Sequence, residues 1–243
     1  MVKVTGMLRR ACVLVAGVAL VYASAVRAAT LESVQKSISD AWEKASSATY
    51  DMETITDSSG PGYSMKMTMT GTSEMSRAGG KYKMRMESKA VTDQNFGGNA
   101  SKSESKSTMI VDGDFAYTIM DTAGQKMAMK MSAAPYTENA GGDKMFKSIA
   151  ASSTLTLAAD ESVDGQAAYV IEAKEKTQGS VMSYYFSKDN GFVLQMISKG
   201  PDGKTITTTK MKNIKIGASI PADHFVFTAP AGVQVQDMTN AGK

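Results

Sequence analysis

Thioethers recur at every second position in three stretches of this chain: Met65, Met67 and Met69 in YSMKMTMTG, Met84 and Met86 in KYKMRMES, and Met127, Met129 and Met131 in GQKMAMKMS. A spacing of two is the period of a β-strand, so each run puts its methionines on one side of a sheet. Two chemistries suit such a face. Unbranched, polarisable Met side chains make an apolar surface that repacks around irregular partners. The same sulfurs are soft ligands for Cu(I), and alternate residues on a strand lie about 6.6 Å apart, within joint reach of one ion.

Catalytic alternatives are thin. A Ser-His-Asp or Cys-His centre would have to use His224, the single histidine, which carries no local signature. There is no Gly-rich phosphate loop and no zinc-ligand spacing. Asp112 and Asp114 in VDGD suit a hairpin turn better than a calcium loop, whose remaining ligands are missing. The expectation is a binding protein rather than an enzyme, with no cofactor and no dedicated metal site.

Residues 1–28 are read as a cleaved export signal. Lys3, Arg9 and Arg10 precede an apolar run from Ala11 to about Tyr22, followed by small residues. The run is short for a membrane span. This segment also holds Cys12 and the basic excess. The chain has 27 Lys+Arg against 24 Asp+Glu, and residues 1–28 supply four of the bases and no acid, leaving 23 against 24. The remainder offers no electrostatic argument for nucleic acid and no disulfide. Residues 29–243 are expected to form one exported domain, a monomer. After residue 28 only four leucines remain (Leu31, Leu155, Leu157, Leu194), so methionine has taken over much of leucine's usual role.

The elements that would position the methionines follow from periodicity. Leu31, Val34, Ile38, Ala41, Trp42 and Ala45 recur at three- and four-residue intervals, which predicts an N-terminal helix with Trp42 on its apolar stripe. From residue 48 the period becomes two. Tyr82 alternates with Met84 and Met86, and Phe115, Tyr117 and Ile119 alternate in the same way. Together with the eight methionines they are the candidate lining of a hydrophobic cavity. Residues 92–107, rich in Ser, Gly and Lys, are expected to form a mobile polar loop. Asp143 is the candidate N-cap of an inserted helix around residues 144–150. Six further strands are predicted from 153 onward, the last in HFVFTAP, with turns at Asn190-Gly191 and Pro201-Asp202-Gly203. About eleven strands in neighbouring hairpins argue for a mainly β fold, a large antiparallel sheet that is strongly curled or partly closed.

Several stretches are similar to the LolA-like periplasmic carriers of outer-membrane lipoproteins. PADHFVFTAPAGVQVQD (221–237) resembles the family's closing signature, STMIVDGDFAYTIM (107–120) its central hairpin, and DGKTITTTKMKNIKIGASIP the strand before the ending. The resemblance spans residues 30–238 and is weakest at 92–107 and 136–152. It implies an unclosed antiparallel β-barrel of about eleven strands, capped by an N-terminal helix and an inserted helix, whose concave face holds acyl chains. It implies acylated lipoproteins or another lipid as ligand, with an inner-membrane releasing transporter and an outer-membrane acceptor as partners. It also implies that Arg77 gates the cavity by tethering the lid helices, although Ala78 stands where the family usually has proline. Two other readings stay open: Cu(I) handling, and a module that senses mislocalised lipoproteins on the same fold.

Overall fold

The computed structural model describes residues 29–77, 80–138 and 141–239, so residues 1–28, read above as an export signal, lie outside the described residues. Helix α1 (Leu31–Lys44) is set by a capping box: the Thr30 hydroxyl accepts from the Ser33 amide, and the Ser33 hydroxyl accepts from the Thr30 amide. Its stripe buries Val34 and Ile38. Trp42 stacks on Phe192 with ring centroids 4.5 Å apart, and its indole N–H donates to the Gly191 carbonyl. Gly191 is required twice over. Its φ of +71° closes the turn, and a Cβ there would lie 2.8 Å from Ala41 Cβ.

Six antiparallel strands follow: β1 (Ser47–Gly60), β2 (Tyr63–Ser76), β3 (Lys83–Phe96), β4 (Asn99–Val111), β5 (Phe115–Thr122) and β6 (Gln125–Ser132). Two helices interrupt them, α2 (Ala134–Thr137) and α3 (Gly142–Ser152). The sheet then resumes with β7 (Ser153–Leu157), β8 (Glu161–Val163), β9 (Gln166–Glu175), β10 (Val181–Ser187), β11 (Val193–Lys199) and β12 (Thr205–Ile216). A 3-10 turn (Ala222–Phe225) and β13 (Val235–Asp237) end the described chain. All thirteen strands belong to one sheet, ordered β13-β6-β5-β4-β3-β2-β1-β12-β11-β10-β9-β7, with β8 beside β9. The two ends never meet, so the barrel is unclosed. Only the β13–β6 pair is parallel.

The main core lies where α1 and α3 cover β9 and β10, around Val34, Ile38, Phe146, Ile171 and Phe186. Helix-to-helix packing is tight enough to need glycine: a Cβ on Gly142 would fall 2.1 Å from Ser39 Cα.

Three expectations are corrected. Residues 92–107 are not a loop but the distal halves of β3 and β4, paired without a break from Met84–Val111 to Phe96–Asn99 around Gly97-Gly98. Their polarity reflects exposure rather than disorder. With water on both sides, Ser and Thr serve as well as apolar residues, and the cross-strand pairs Lys89–Glu104 (2.8 Å) and Asp93–Lys102 (3.5 Å) match opposite charges. HFVFTAP does not form a strand. After Pro221, which cannot donate to a ladder, the chain turns through the 3-10 helix, and β12 already has β1 and β11 on its flanks. The N-cap of α3 is Gly141, at φ +135°, with Asp143 inside the first turn.

Candidate functional site

Directly opposed residues of an antiparallel pair share a face, so the registers assign every side chain. Ala48, Met75, Met84, Val111, Ala116 and Met131 form one transverse row. Tyr50, Ser73, Met86, Met109, Thr118 and Met129 form the next. A third runs Met211, Met52, Gly71, Ser88, Ser107, Met120 and Met127. Met69, Met67 and Met65 continue the face along β2, and Met196 and Met182 extend it on β11 and β10. The chain has 19 methionines; setting aside Met1 and Met7 leaves 17, and fifteen of these share one face. The other two, Met145 on α3 and Met238, are not in strands.

This is also the face on which the helices sit, since Ile171 and Tyr184 oppose each other beside Met196 and pack against α1. Gly71 shows which way the sheet bends there. A Cβ at Gly71 would point into the methionine face, and it would meet the Glu87 carbonyl oxygen at 2.2 Å. The neighbouring backbone has folded toward that side, which makes the methionine face concave. Coverage is graded. Tyr136 and Ala133 pack over Met84, Val111 and Ala116 in the first row, and Met75 is 2% exposed. Apart from Ser73, which is 2% exposed, the later rows are half-buried to exposed, and Met127 is 52% exposed. The result is an open trough, roofed at one end by the helices.

The sequence brought eight of these methionines together correctly as one face. It missed Met75, six residues beyond Met69 on β2, and Met52, Met109, Met120, Met182, Met196 and Met211, which stand singly in their strands; the signal that finds them is strand register. Tyr82, just before β3, is half-buried against the cluster of Met75 and Phe192, and its hydroxyl donates to Met84 Sδ at 3.5 Å. Burial, with Tyr50 nearby, pushes its pKa well up, and Arg77 partly offsets this.

Phe115, Tyr117 and Ile119 do not belong to the lining. They oppose Ser132, Lys130 and Ala128 on the other parity of β5 and β6, and so stand on the convex face. There the C-terminal arm reaches Tyr117 and the neighbouring Glu74 and Arg85. Phe227 stacks on Tyr117 at 4.3 Å, Lys130 lies 3.7 Å over the Phe115 ring, and His224 Nδ1 meets Glu74 at 2.8 Å. Arg85 donates to the His224 carbonyl at 3.2 Å and pairs with Glu87. Alternation alone could not tell the two faces apart on β5, because Met120 and Thr118 interleave with the aromatics.

Arg77 follows β2 on the helix side. Nη1 donates to the Trp42 carbonyl at 2.7 Å, where α1 ends, and the guanidinium carbon lies 5.7 Å from the Trp42 ring centroid. Nη2 is buried without a partner among the described residues and points toward Gly141, whose Cβ position is 3.6 Å away. One side chain thus spans the end of β2, the last turn of α1 and the approach to α3.

Elsewhere, a cleft of about 800 Å³ follows the outer side of α1, between Glu32, Lys36, Asp40, Glu43 and Asp143. Its charged walls would have to be desolvated to hold an alkyl chain. Among the described residues, no three of His, Cys, Asp or Glu converge as for a metal, so an ion on the concave face would have thioethers as ligands.

No protein-family model and no curated protein matches this chain. Among solved structures it is similar to MucB in complex with MucA(peri), at 13% identity and a TM-score of 0.44, over 82% of this chain and 60% of that one. An uncharacterized conserved protein from Thermus thermophilus is similar at 10% identity and a TM-score of 0.46, over 83% and 98% of the two chains. A putative outer membrane lipoprotein-sorting protein domain from Vibrio parahaemolyticus is similar at 9% identity and a TM-score of 0.32, over 79% and 92%. The chain spans about three fifths of the MucB chains it matches.

Proposed function

We propose that the concave methionine face receives the acyl chains of a lipoprotein or a related lipid, and that the protein carries them through the periplasm to an outer-membrane acceptor. The observation that supports this most is the sorting of sulfur: fifteen methionines on one half-open, concave face. Burial of each methylene contributes about 0.8 kcal/mol, so multiple long acyl chains need tens of kcal/mol of shielding to leave a membrane. A carrier must also let go. Flexible thioethers give area without a fixed shape, so they bind apolar chains without selecting one packing. This is binding rather than catalysis.

Purified protein should bind a fluorescent acyl probe and yield it to a triacylated lipopeptide. The same preparation should be titrated anaerobically with Cu(I), because Met86 and Met109 stand directly opposite each other with Met84 two residues along β3. Tight stoichiometric Cu(I) binding by a protein that ignores the acyl probe would replace the lipid reading with a soft-metal one.

A further inference from the structure

Leucine and methionine are unevenly distributed, with Met145, Met75 and Met84 the methionines that join core clusters. Leu31, Leu155 and Leu157 pack in the helix-covered core and Leu194 in the neighbouring cluster, whereas the strand methionines hold the trough. A general drift from Leu to Met would have reached the main core more widely than Met145, the one methionine packed against it. Adaptability is one property that sulfur adds to such a face; reactivity is another.

Four times two methionines stand directly opposite: Met52 and Met211, Met75 and Met84, Met86 and Met109, Met120 and Met127. Such neighbours have Cβ atoms about 4.5–5.5 Å apart, so a change at one sulfur alters the surface its partner shares. We propose that these open-face methionines are sites of reversible oxidation by hypohalous acid, and that their oxidation releases the bound lipid; this rests on the acyl-binding reading above. The overall step is R–S–CH3 + HOCl → R–S(O)–CH3 + H+ + Cl−. Sulfur loses two electrons and gains an S–O bond, the O–Cl bond is lost, chloride takes the electron pair, and the proton goes to water. Thiol-dependent methionine sulfoxide reductases reverse it, one enzyme for each epimer.

The fold confines the damage to the lining. A sulfoxide oxygen is a polar acceptor, and holding it against an alkyl chain without a donor is unfavourable. The five buried residues of the main core, Val34, Ile38, Phe146, Ile171 and Phe186, contain no sulfur, and Met145 on α3 is the one methionine packed against them. Oxidation therefore turns the trough polar while the scaffold that carries it stays folded. Exposure sets the order. Met127, 52% exposed, should oxidise first, and Met75, 2% exposed among Ala45, Ala48 and Phe192, should be protected as long as the protein is folded.

The test uses the intact protein loaded with a fluorescent fatty-acid probe and titrated with hypochlorous acid. Peptide mass mapping locates each oxygen, and circular dichroism follows the fold. The expected result is oxidation at Met127 before Met75, unchanged secondary structure, and at least about a tenfold loss of probe affinity, a change of about 1.4 kcal/mol. Reductases A and B together should restore binding. A triple variant, Met120→Leu, Met127→Leu and Met129→Leu, should lose less affinity on oxidation relative to its own starting value. Affinity that survives full oxidation of the open rows within about twofold overturns the proposal, and so does oxidation of Met75 in step with Met127, which would mean unfolding rather than gating. A reduced protein that never holds the probe sinks the acyl reading and this proposal together; a binding protein that stays bound when oxidised sinks this proposal alone.

Discussion

Gly71→Ala tests the curvature that makes the trough. A Cβ at this position would stand 2.2 Å from the Glu87 carbonyl oxygen and 3.0 Å from the Ser88 backbone. Ordinary contact needs about 3.2 Å or more, so β2 and β3 must separate by about 1 Å where they pair as Gly71 and Ser88. Forcing a group into a packed site of this kind costs about 1–3 kcal/mol. Loss of glycine's freedom in the unfolded chain returns about 0.4–1 kcal/mol. The net expectation is about 1–2 kcal/mol of destabilisation, read as a lower urea midpoint with an unchanged slope. Because the sheet flattens next to Met52, Met69 and Met86, acyl-probe affinity should fall by more than the same substitution costs at an exposed turn glycine such as Gly97. A Gly71→Ala protein as stable as the parent, with the same probe affinity, would refute the inferred bend and the concave face with it.

Arg77→Leu removes a charge-assisted bond to the Trp42 carbonyl, worth about 1.5–3 kcal/mol, and frees α1 at its C-terminal end. Stability should drop by about that amount and probe binding should hold or tighten, while transfer to an acceptor lipopeptide slows; unchanged transfer by a folded variant would remove Arg77 from the gate. Phe227→Ala should release the arm from Tyr117 at a cost of about 0.5–1.5 kcal/mol beyond lost burial, seen as faster proteolysis after residue 220 with probe affinity unaltered. Glu53, Glu104 and Asp164 are held below their usual pKa, chiefly by hydrogen bonds from Lys212, Lys89 and Lys210. Carboxylates lowered in the fold contribute stability above their ordinary values of 4.5 and 3.8 and lose it as pH falls through the lowered ones, so Tm should decline below about pH 4.5 and decline less in high salt. A Tm that is flat down to pH 3 would contradict this.

What the sequence disclosed follows from which constraints are local. The helix stripe Val34–Ile38–Trp42 and the Met-x-Met runs are periodic within a few residues, so helix and strand could be read directly. Asn190-Gly191 marked its turn for the same reason, although the second need for glycine there, the approach of Ala41, is tertiary. The polar distal half of β3–β4 was hidden because a strand wetted on both faces has no hydrophobic alternation to show. The lining on β5 was misassigned for a different reason. Phe115, Tyr117 and Ile119 alternate as well as any buried set, and only the register with β6, and the stacking of Phe227 from more than a hundred residues away on Tyr117, show that they stand on the convex face. Met109, Met120 and Met211 were invisible singly because their company is across the sheet rather than along it.

A closed barrel has its bore fixed by strand number and stagger, whereas this sheet has two ends that never pair. No ladder between its ends, β13 and β7, fixes the width of its trough. A cargo with one chain and a cargo with three could then be gripped by the same residues at different apertures. The liability of such a design is its two rims, each a row of unpaired backbone groups inviting another strand. Val235–Asp237 shields one rim by lying parallel along Ala128–Lys130, and the other ends in a strand of only five residues. The rims are kept short so that the middle is free to flex.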